Sequence, residues 1–373
     1  MTNSKGIYIH IPFCSLKCSY CNFFSGNFSK CTQRDYISTT LKEIKKWGRR
    51  TVCPIDTIYF GGGTPSLLKP SELSKLLNGI RENFLIEKDA ETTIEMNPGD
   101  DIAPLLEVFK SGGGNRVSLG VQSANEDELN LLGRRHDFSA VETAVKTIKE
   151  SGIDNISVDL IIGIPSSTTE SLEKSVSAVL SLDVPHISVY ILKIEENTPL
   201  FLKMDSLNLL GEDEICEQYL YVSKRLKENG FLHYEISNFA KKDKFSRHNN
   251  RYWQGKEYIG IGPSAFSYFE GKRFHYPADI NAYINEPGVI YDEDGGGLEE
   301  FVMLHLRLSE GLSLDELRAF GVTDVSSILK LADKLEKARL VEVKDNNISL
   351  TDTGMLVSNS IILEILGAIN ENL

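Results

Sequence analysis

The sequence predicts an α/β fold built on a parallel sheet, and three observations carry that prediction. Six short β-rich runs alternate with helical stretches up to about residue 195. Most of the runs are apolar on both faces, as strands buried under helices must be. The stretches between them carry apolar residues at helical spacing. The strands are expected at 6–11, 56–60, 92–97, 116–121, 156–162 and 186–192. The helices are expected at 33–47, 70–84, 102–110, 139–151 and 169–182. Ile37, Leu41 and Ile44 line one face of the first helix, Gly48 stops it, and Ser71 stands near the start of the second. Six β/α units in series give a parallel sheet, open or closed.

From residue 211 to 287 the pattern is less regular and rich in aromatics, opening with a helix near 213–229. Asp292-Glu293-Asp294-Gly295-Gly296-Gly297 reads as a linker or exposed loop. Beyond it come helices at 298–308, 314–320 and 325–339, a hairpin of 340–343 with 348–350 around Asp345-Asn346-Asn347, and a last helix near 354–369. Three regions are thus expected: 1–210, 211–297 and 298–373. The third, with helices followed by a two-stranded wing, resembles a winged-helix module. Its 325–339 helix mixes Lys330, Lys334, Lys337 and Arg339 with Asp333 and Glu336, a poor phosphate-binding face, so packing is the expected role.

Composition narrows the function. A chain of 373 residues, 41% hydrophobic and 25% charged, suits a large domain with a smaller one. A net charge of −13 argues against nucleic acid, which needs a positive surface. No apolar run is long enough for a membrane span. The polar start leads directly into a strand, so no signal peptide is expected. Six cysteines, three of them clustered, fit a reducing compartment, and the expected location is the cytoplasm.

Cys14, Cys18 and Cys21 follow the first strand at CxxxCxxC spacing, which puts three thiolates on one short loop. A [4Fe–4S] cubane usually takes four cysteines, so three leave one iron open. The alternative is zinc completed by Cys31 or Cys53, although zinc loops favour paired CxxC units. Gly61-Gly62-Gly63-Thr64-Pro65-Ser66 lets a ligand approach the backbone, or is simply a tight βα turn. Glu95 and Asp159 are carboxylates in otherwise apolar strands, costly unless paired or at a site. Strand C-termini carry the active site in β/α barrels, so both acids point to one rim; the plain alternative is a stabilising ion pair.

CxxxCxxC just after a β-strand resembles the signature of the radical S-adenosylmethionine (SAM) superfamily, in which SAM's methionine chelates the open iron. With GGGTPS, EMNP, GVQS, LGRRH and DLIIGIP following in order, nearly the whole chain resembles the oxygen-independent coproporphyrinogen oxidase branch. That resemblance implies a partial (β/α)6 barrel with the cluster on Cys14, Cys18 and Cys21. It also implies SAM held by Tyr8, Tyr20, Gly62, Gly63, Thr64, Glu95, Gln122, Arg134 and Asp159.

Authentic oxidases of this branch carry a further cysteine two residues after the third, and a long arm before the cluster. Here Phe23 stands at that place and Cys14 lies near the start, which resembles the HemW family of haem chaperones. His248-Asn249-Asn250-Arg251-Tyr252-Trp253 matches that family's HNxxYW motif. An imidazole can ligate haem iron, Tyr252 and Trp253 can stack on a porphyrin, and Lys241, Lys242, Lys244, Arg247 and Arg251 can pair with propionates. Read without the family, the segment is a turn histidine beside a core tryptophan. Many relatives carry histidine where Phe266 stands. The resemblance implies haem, a [4Fe–4S] cluster and SAM as bound groups. It further implies delivery to haem-accepting membrane proteins of the respiratory chain, with transient membrane association and no coproporphyrinogen dehydrogenase activity. The alternative is the dehydrogenase itself, which oxidatively decarboxylates two propionates of coproporphyrinogen III.

Overall fold

All six expected strands are present in the computed structural model, which describes residues 4–370. They are β1 (Lys5–Ile11), β2 (Ile55–Gly62), β3 (Ile86–Met96), β4 (Arg116–Gln122), β5 (Asn155–Ile162) and β6 (His186–Ile191). Each pairs in parallel with the next, so the six form the core of one sheet in chain order. The helices between them are α1 (Lys30–Arg50), α2 (Pro70–Asn83), α3 (Ala103–Ser111), a short α4 (Glu126–Leu131) not foreseen, α5 (Phe138–Glu150) and α6 (Thr169–Ser181). Ser29 caps α1 by accepting the Thr32 amide, so the helix begins before its apolar pattern does. Ile7, Ile9 and Ile11 of β1, Ile44 and Trp47 of α1, and Leu73, Leu76 and Ile80 of α2 are buried in one core. Each such aliphatic side chain contributes about 1.5–3 kcal/mol by leaving water.

The sheet is twice as wide as expected. After α7 (Glu212–Glu228) come β7 (Leu232–Glu235), β8 (Asn238–Ala240), α8 (Arg247–Trp253), β9 (Tyr258–Ile261), β10 (Phe266–Phe269), β11 (Lys272–His275), α9 (Ile280–Asn285) and β12 (Ile290–Asp294). β9 pairs in parallel with the free side of β1, and β10 to β12 continue antiparallel from it. β8 and then β7 extend the other side from β6. The twelve strands run in the order β12-β11-β10-β9-β1-β2-β3-β4-β5-β6-β8-β7, with β1 well inside. Asp292–Asp294 is therefore not linker but the end of edge strand β12, and only 295–297 remains as connection. Three successive acids hid the strand from its pattern. They are tolerated because the whole strand is exposed.

The remaining chain forms α10 (Leu298–His305), β13 (Leu312–Ser313), α11 (Leu314–Leu317), α12 (Ser326–Lys337), β14 (Val341–Lys344), β15 (Asn347–Leu350), α13 (Asp352–Leu356) and α14 (Ser358–Asn370). The expected hairpin is there, and Asp345 and Asn346 at its turn have φ of +49° and +64°, as a tight primed turn requires. β13 adds a third strand to it. The expected last helix is broken at Val357 into α13 and α14. Asp352 anchors this part to α7 through Ser223 and Lys227 and to β7 through His233. Among the described residues no helix is long and apolar enough to cross a membrane.

Candidate functional site

The C-terminal ends of the parallel strands open onto a cleft of about 350 Å3. Cys14, Cys18, Tyr20, Cys21, Gly62, Gly63, Thr64, Glu95, Gln122, Arg134 and Asp159 all line it. Of the site residues expected from sequence, Tyr8 and His248 stand outside this lining.

The cysteine loop is tied down at its neck and its far side. The Cys14 amide donates to the Gly26 carbonyl and the Gly26 amide to the Pro12 carbonyl, both at 2.9 Å. Further on, the Ser19 amide donates to the Leu132 carbonyl at 3.0 Å and the Leu200 amide to the Ser19 carbonyl at 2.8 Å. Position 63 must be glycine, because a Cβ there would lie 2.7 Å from the Phe13 carbonyl oxygen and 3.1 Å from the Cys14 sulfur. Thr64 Oγ1 is 3.4 Å from Cys14 Sγ, and Arg134 Nη1 is 3.5 Å from Cys18 Sγ. Burial pushes the Cys21 thiol up, which favours its neutral form until a cation arrives.

The donor set suits a cluster better than one ion. Cys31 is exposed on α1 and bonded to Asp35. Zinc needs four donors about one centre. A cubane offers a separate iron to each thiolate, and three free thiols lining one cleft match that demand.

Two half-buried carboxyls, Glu95 and Asp159, line the same cleft as the cysteines. The Tyr59 hydroxyl donates to Glu95 Oε1 at 2.9 Å, and the Gly62 amide to Oε2 at 3.0 Å. Burial still pushes the Glu95 carboxyl up to about 7. Burial also raises Asp159, against the hydroxyls of Ser188 and Ser118 and the cations Arg116 and Arg134. Arg134 is the hub between walls: Nη1 donates to Asn97 Oδ1 at 3.2 Å and Nη2 to the Gly120 carbonyl at 2.8 Å. Asn97 in turn donates to Thr64 Oγ1 at 3.1 Å. Gln122 has φ of +71°, a left-handed conformation that costs a non-glycine residue about 1–3 kcal/mol and bends the end of β4 into the cleft. Chemically, the cleft offers thiolates for a metal, carboxyls for an ammonium or hydroxyl, and a guanidinium for an anion.

Sequence reasoning missed Tyr59, Asn97, Arg116, Ser118 and Ser188. Arg116 had a usable signal, since a cation in a buried strand is the same anomaly that marked Glu95.

The HNxxYW segment forms α8 and packs beneath this cleft. Its first amides, of Arg247 and His248, each donate to the Glu91 carboxylate at 3.0 Å. His248 is fully buried, with Nδ1 at 2.9 Å from Thr57 Oγ1 and Nε2 at 2.7 Å from the Tyr252 hydroxyl. Burial pushes its imidazole down to about 3, so it is neutral. Tyr8 and Tyr59 stack on the same ring, and Tyr8 Oη lies 3.0 Å from His10 Nδ1. In this arrangement neither nitrogen of His248 is open to an iron. Nor is Arg251 open to a propionate, because it is buried against Asp56. Arg307 lies over the Trp253 ring.

These features match known proteins over nearly the whole chain. The radical SAM superfamily model matches residues 8–179, and the HemN C-terminal domain model matches 297–357. Among solved structures, the radical SAM enzyme coproporphyrinogen III oxidase HemN of Escherichia coli superposes with a TM-score of 0.82. That match covers 99% of this chain and 91% of that one at 21% identity, and it establishes the same fold. Heme chaperone HemW of Lactococcus lactis is 32% identical over 96% of both chains. Heme chaperone HemW of Bacillus subtilis is 33% identical over 97% of this chain and 99% of its own. An ordered cysteine loop, a carboxylate-lined cleft and likeness at this level along the full length together mean that the chain belongs to the HemW family of radical SAM proteins.

Proposed function

We propose that this protein is a haem chaperone, which binds haem and passes it to membrane haemoproteins such as respiratory cytochromes. Full-length similarity to curated haem chaperones is the observation that carries this reading. In it, Cys14, Cys18 and Cys21 hold a [4Fe–4S] cluster, which supplies an open iron. Gly62, Gly63 and Thr64 bring backbone close to SAM's methionine, Glu95 takes its ammonium, and Gln122, Arg134 and Asp159 line the rest of the molecule. Tyr20 closes the cleft and Tyr8 supports it from below. Arg134 sets its guanidinium against the Cys18 sulfur. Phe23, 68% exposed at the edge of the cleft, stands where the oxidase has a cysteine.

The test is titration of the anaerobically reconstituted protein with haemin, with coproporphyrinogen III turnover assayed alongside. A Soret band saturating near one haem per chain, with no protoporphyrinogen IX formed, is expected. No spectral change on titration, or turnover at the rate of an authentic oxidase, would overturn the reading.

A further inference from the structure

His275 belongs neither to the cysteine cleft nor to the HNxxYW motif. It ends β11, directly across the ladder from Phe266 of β10 and from Ile290 of β12. Directly opposed residues of antiparallel strands share a face, so the three side chains lie abreast. Phe266 is 55% and Ile290 48% exposed, although both are large and apolar. Phe274 and Tyr276, on either side of His275, point the other way onto Trp47, by ring stacking at 5.5 Å and by a hydrogen bond of 2.9 Å.

The open face is the one that α8 packs against further along the sheet. Tyr268 shares it with Phe266 and is paired with Tyr258, which packs on Tyr252 of α8. The stripe also lies at the end of the sheet that carries the cysteines. β10 runs antiparallel to β9, so Phe266 starts where β9 finishes, and Gly262 beyond β9 lies against the His10 backbone just before the cysteine loop.

The imidazole is held as a ligating histidine is held. Its Nδ1 lies 2.9 and 3.0 Å from the two oxygens of Asp292, and among the described residues Nε2 has no hydrogen-bond partner. A carboxylate on one ring nitrogen fixes the tautomer and strengthens the other nitrogen as a donor. Phe266 stacks on the ring, with centroids 4.8 Å apart and planes 27° apart, which fixes its rotation. The side chain is 24% exposed, enough to reach a ligand and little enough to stay ordered.

We infer that His275 is an axial ligand to haem iron, oriented by Asp292 and seated between the apolar surfaces of Phe266 and Ile290. This assignment rests on the haem-chaperone reading. A single nitrogen donor flanked on both sides by exposed apolar surface fits one class of ligand, a flat apolar macrocycle with a metal at its centre. The buried His248 presents neither an open nitrogen nor open surface.

Haemin titrations of the wild type, His275→Ala and Asp292→Asn test the assignment, with thermal melts confirming that each variant is folded. The wild type is expected to show a histidine-ligated Soret band. His275→Ala should lose that band and at least tenfold in affinity, and added imidazole should restore the band. Asp292→Asn should keep the ligation spectrum and weaken binding about tenfold, as loss of a partner that orients a ligand does. If His275→Ala keeps the wild-type spectrum, the assignment is overturned and the haem-chaperone reading stands. If the wild type itself gives no Soret change, that reading falls and the assignment falls with it.

Discussion

Two polar regions sit within the same sheet, a few residues apart along β2 and β3, and they differ in how much hydrogen-bonding capacity is left over. In the cleft, Glu95 accepts two hydrogen bonds, about half of what a carboxylate can take. It faces a cavity, and burial, with the charge of Asp159 beside it, holds its pKa up. Beneath it, His248 has both ring nitrogens engaged, stacks on two tyrosines and lies outside the cleft's lining. A buried polar group with capacity unspent awaits a ligand; one with capacity spent is part of the core. Residue type alone does not separate the two, because imidazole and carboxylate serve equally well in either role.

Three substitutions test that distinction. The largest effect is expected for Cys18→Ala, which removes one of the three thiolates. Iron and sulfide content and visible absorbance should fall to background, and full retention of iron would show that the loop is not the cluster site. Next is His248→Ala, which strands the Thr57 and Tyr252 hydroxyls and opens a cavity. Unfolding by denaturant should show a loss of about 3–5 kcal/mol. A change within 0.5 kcal/mol, the range about usual for surface residues, would mean that His248 is not core.

The smallest effect is expected for Glu95→Gln in the protein without SAM. Folding raises the pKa of this carboxyl from 4.5 to about 7, so the folded state binds the proton more tightly. The stability that this gives is present below pH 4.5 and is lost as pH rises to about 7. Glutamine has no proton to lose. The variant should therefore gain on the wild type across that window by about 3–4 kcal/mol, at about 1.4 kcal/mol per unit. It should at the same time bind SAM more weakly in calorimetry. A pH-independent difference would place the charge of Glu95 elsewhere.

The six parallel strands were legible because long apolar runs leave few other structures. β7 to β12 were not, because strands of three to five residues carry too little periodicity, and β12 carries acids that only an exposed edge tolerates. The cleft was legible where a charge interrupted an apolar strand, as at Glu95 and Asp159. What the local pattern could not supply was depth. HNxxYW specifies a histidine and two aromatics on a short helix, but its burial depends on α8 docking against Thr57 and Glu91, more than 150 residues away in sequence. Phe266 is a related case. An imidazole absent from that position stands directly across the ladder, at His275.

The attachment of β10 to β9 has a mechanical consequence. Elsewhere the main ladders hold several consecutive residue pairs, but these two strands share one, Tyr268 with Tyr258, supplemented by the Ser267 hydroxyl bonded to the Gly260 amide. Gly260 lies so close to the Phe266 carbonyl that no side chain fits between them. The sheet therefore has a seam there, with β9 and β1, the strand before the cysteine loop, on one side and the flap of β10 to β12 on the other. The flap is therefore held less by its backbone ladder to β9 than by its buried face, where Phe274 and Tyr276 pack on Trp47 of α1.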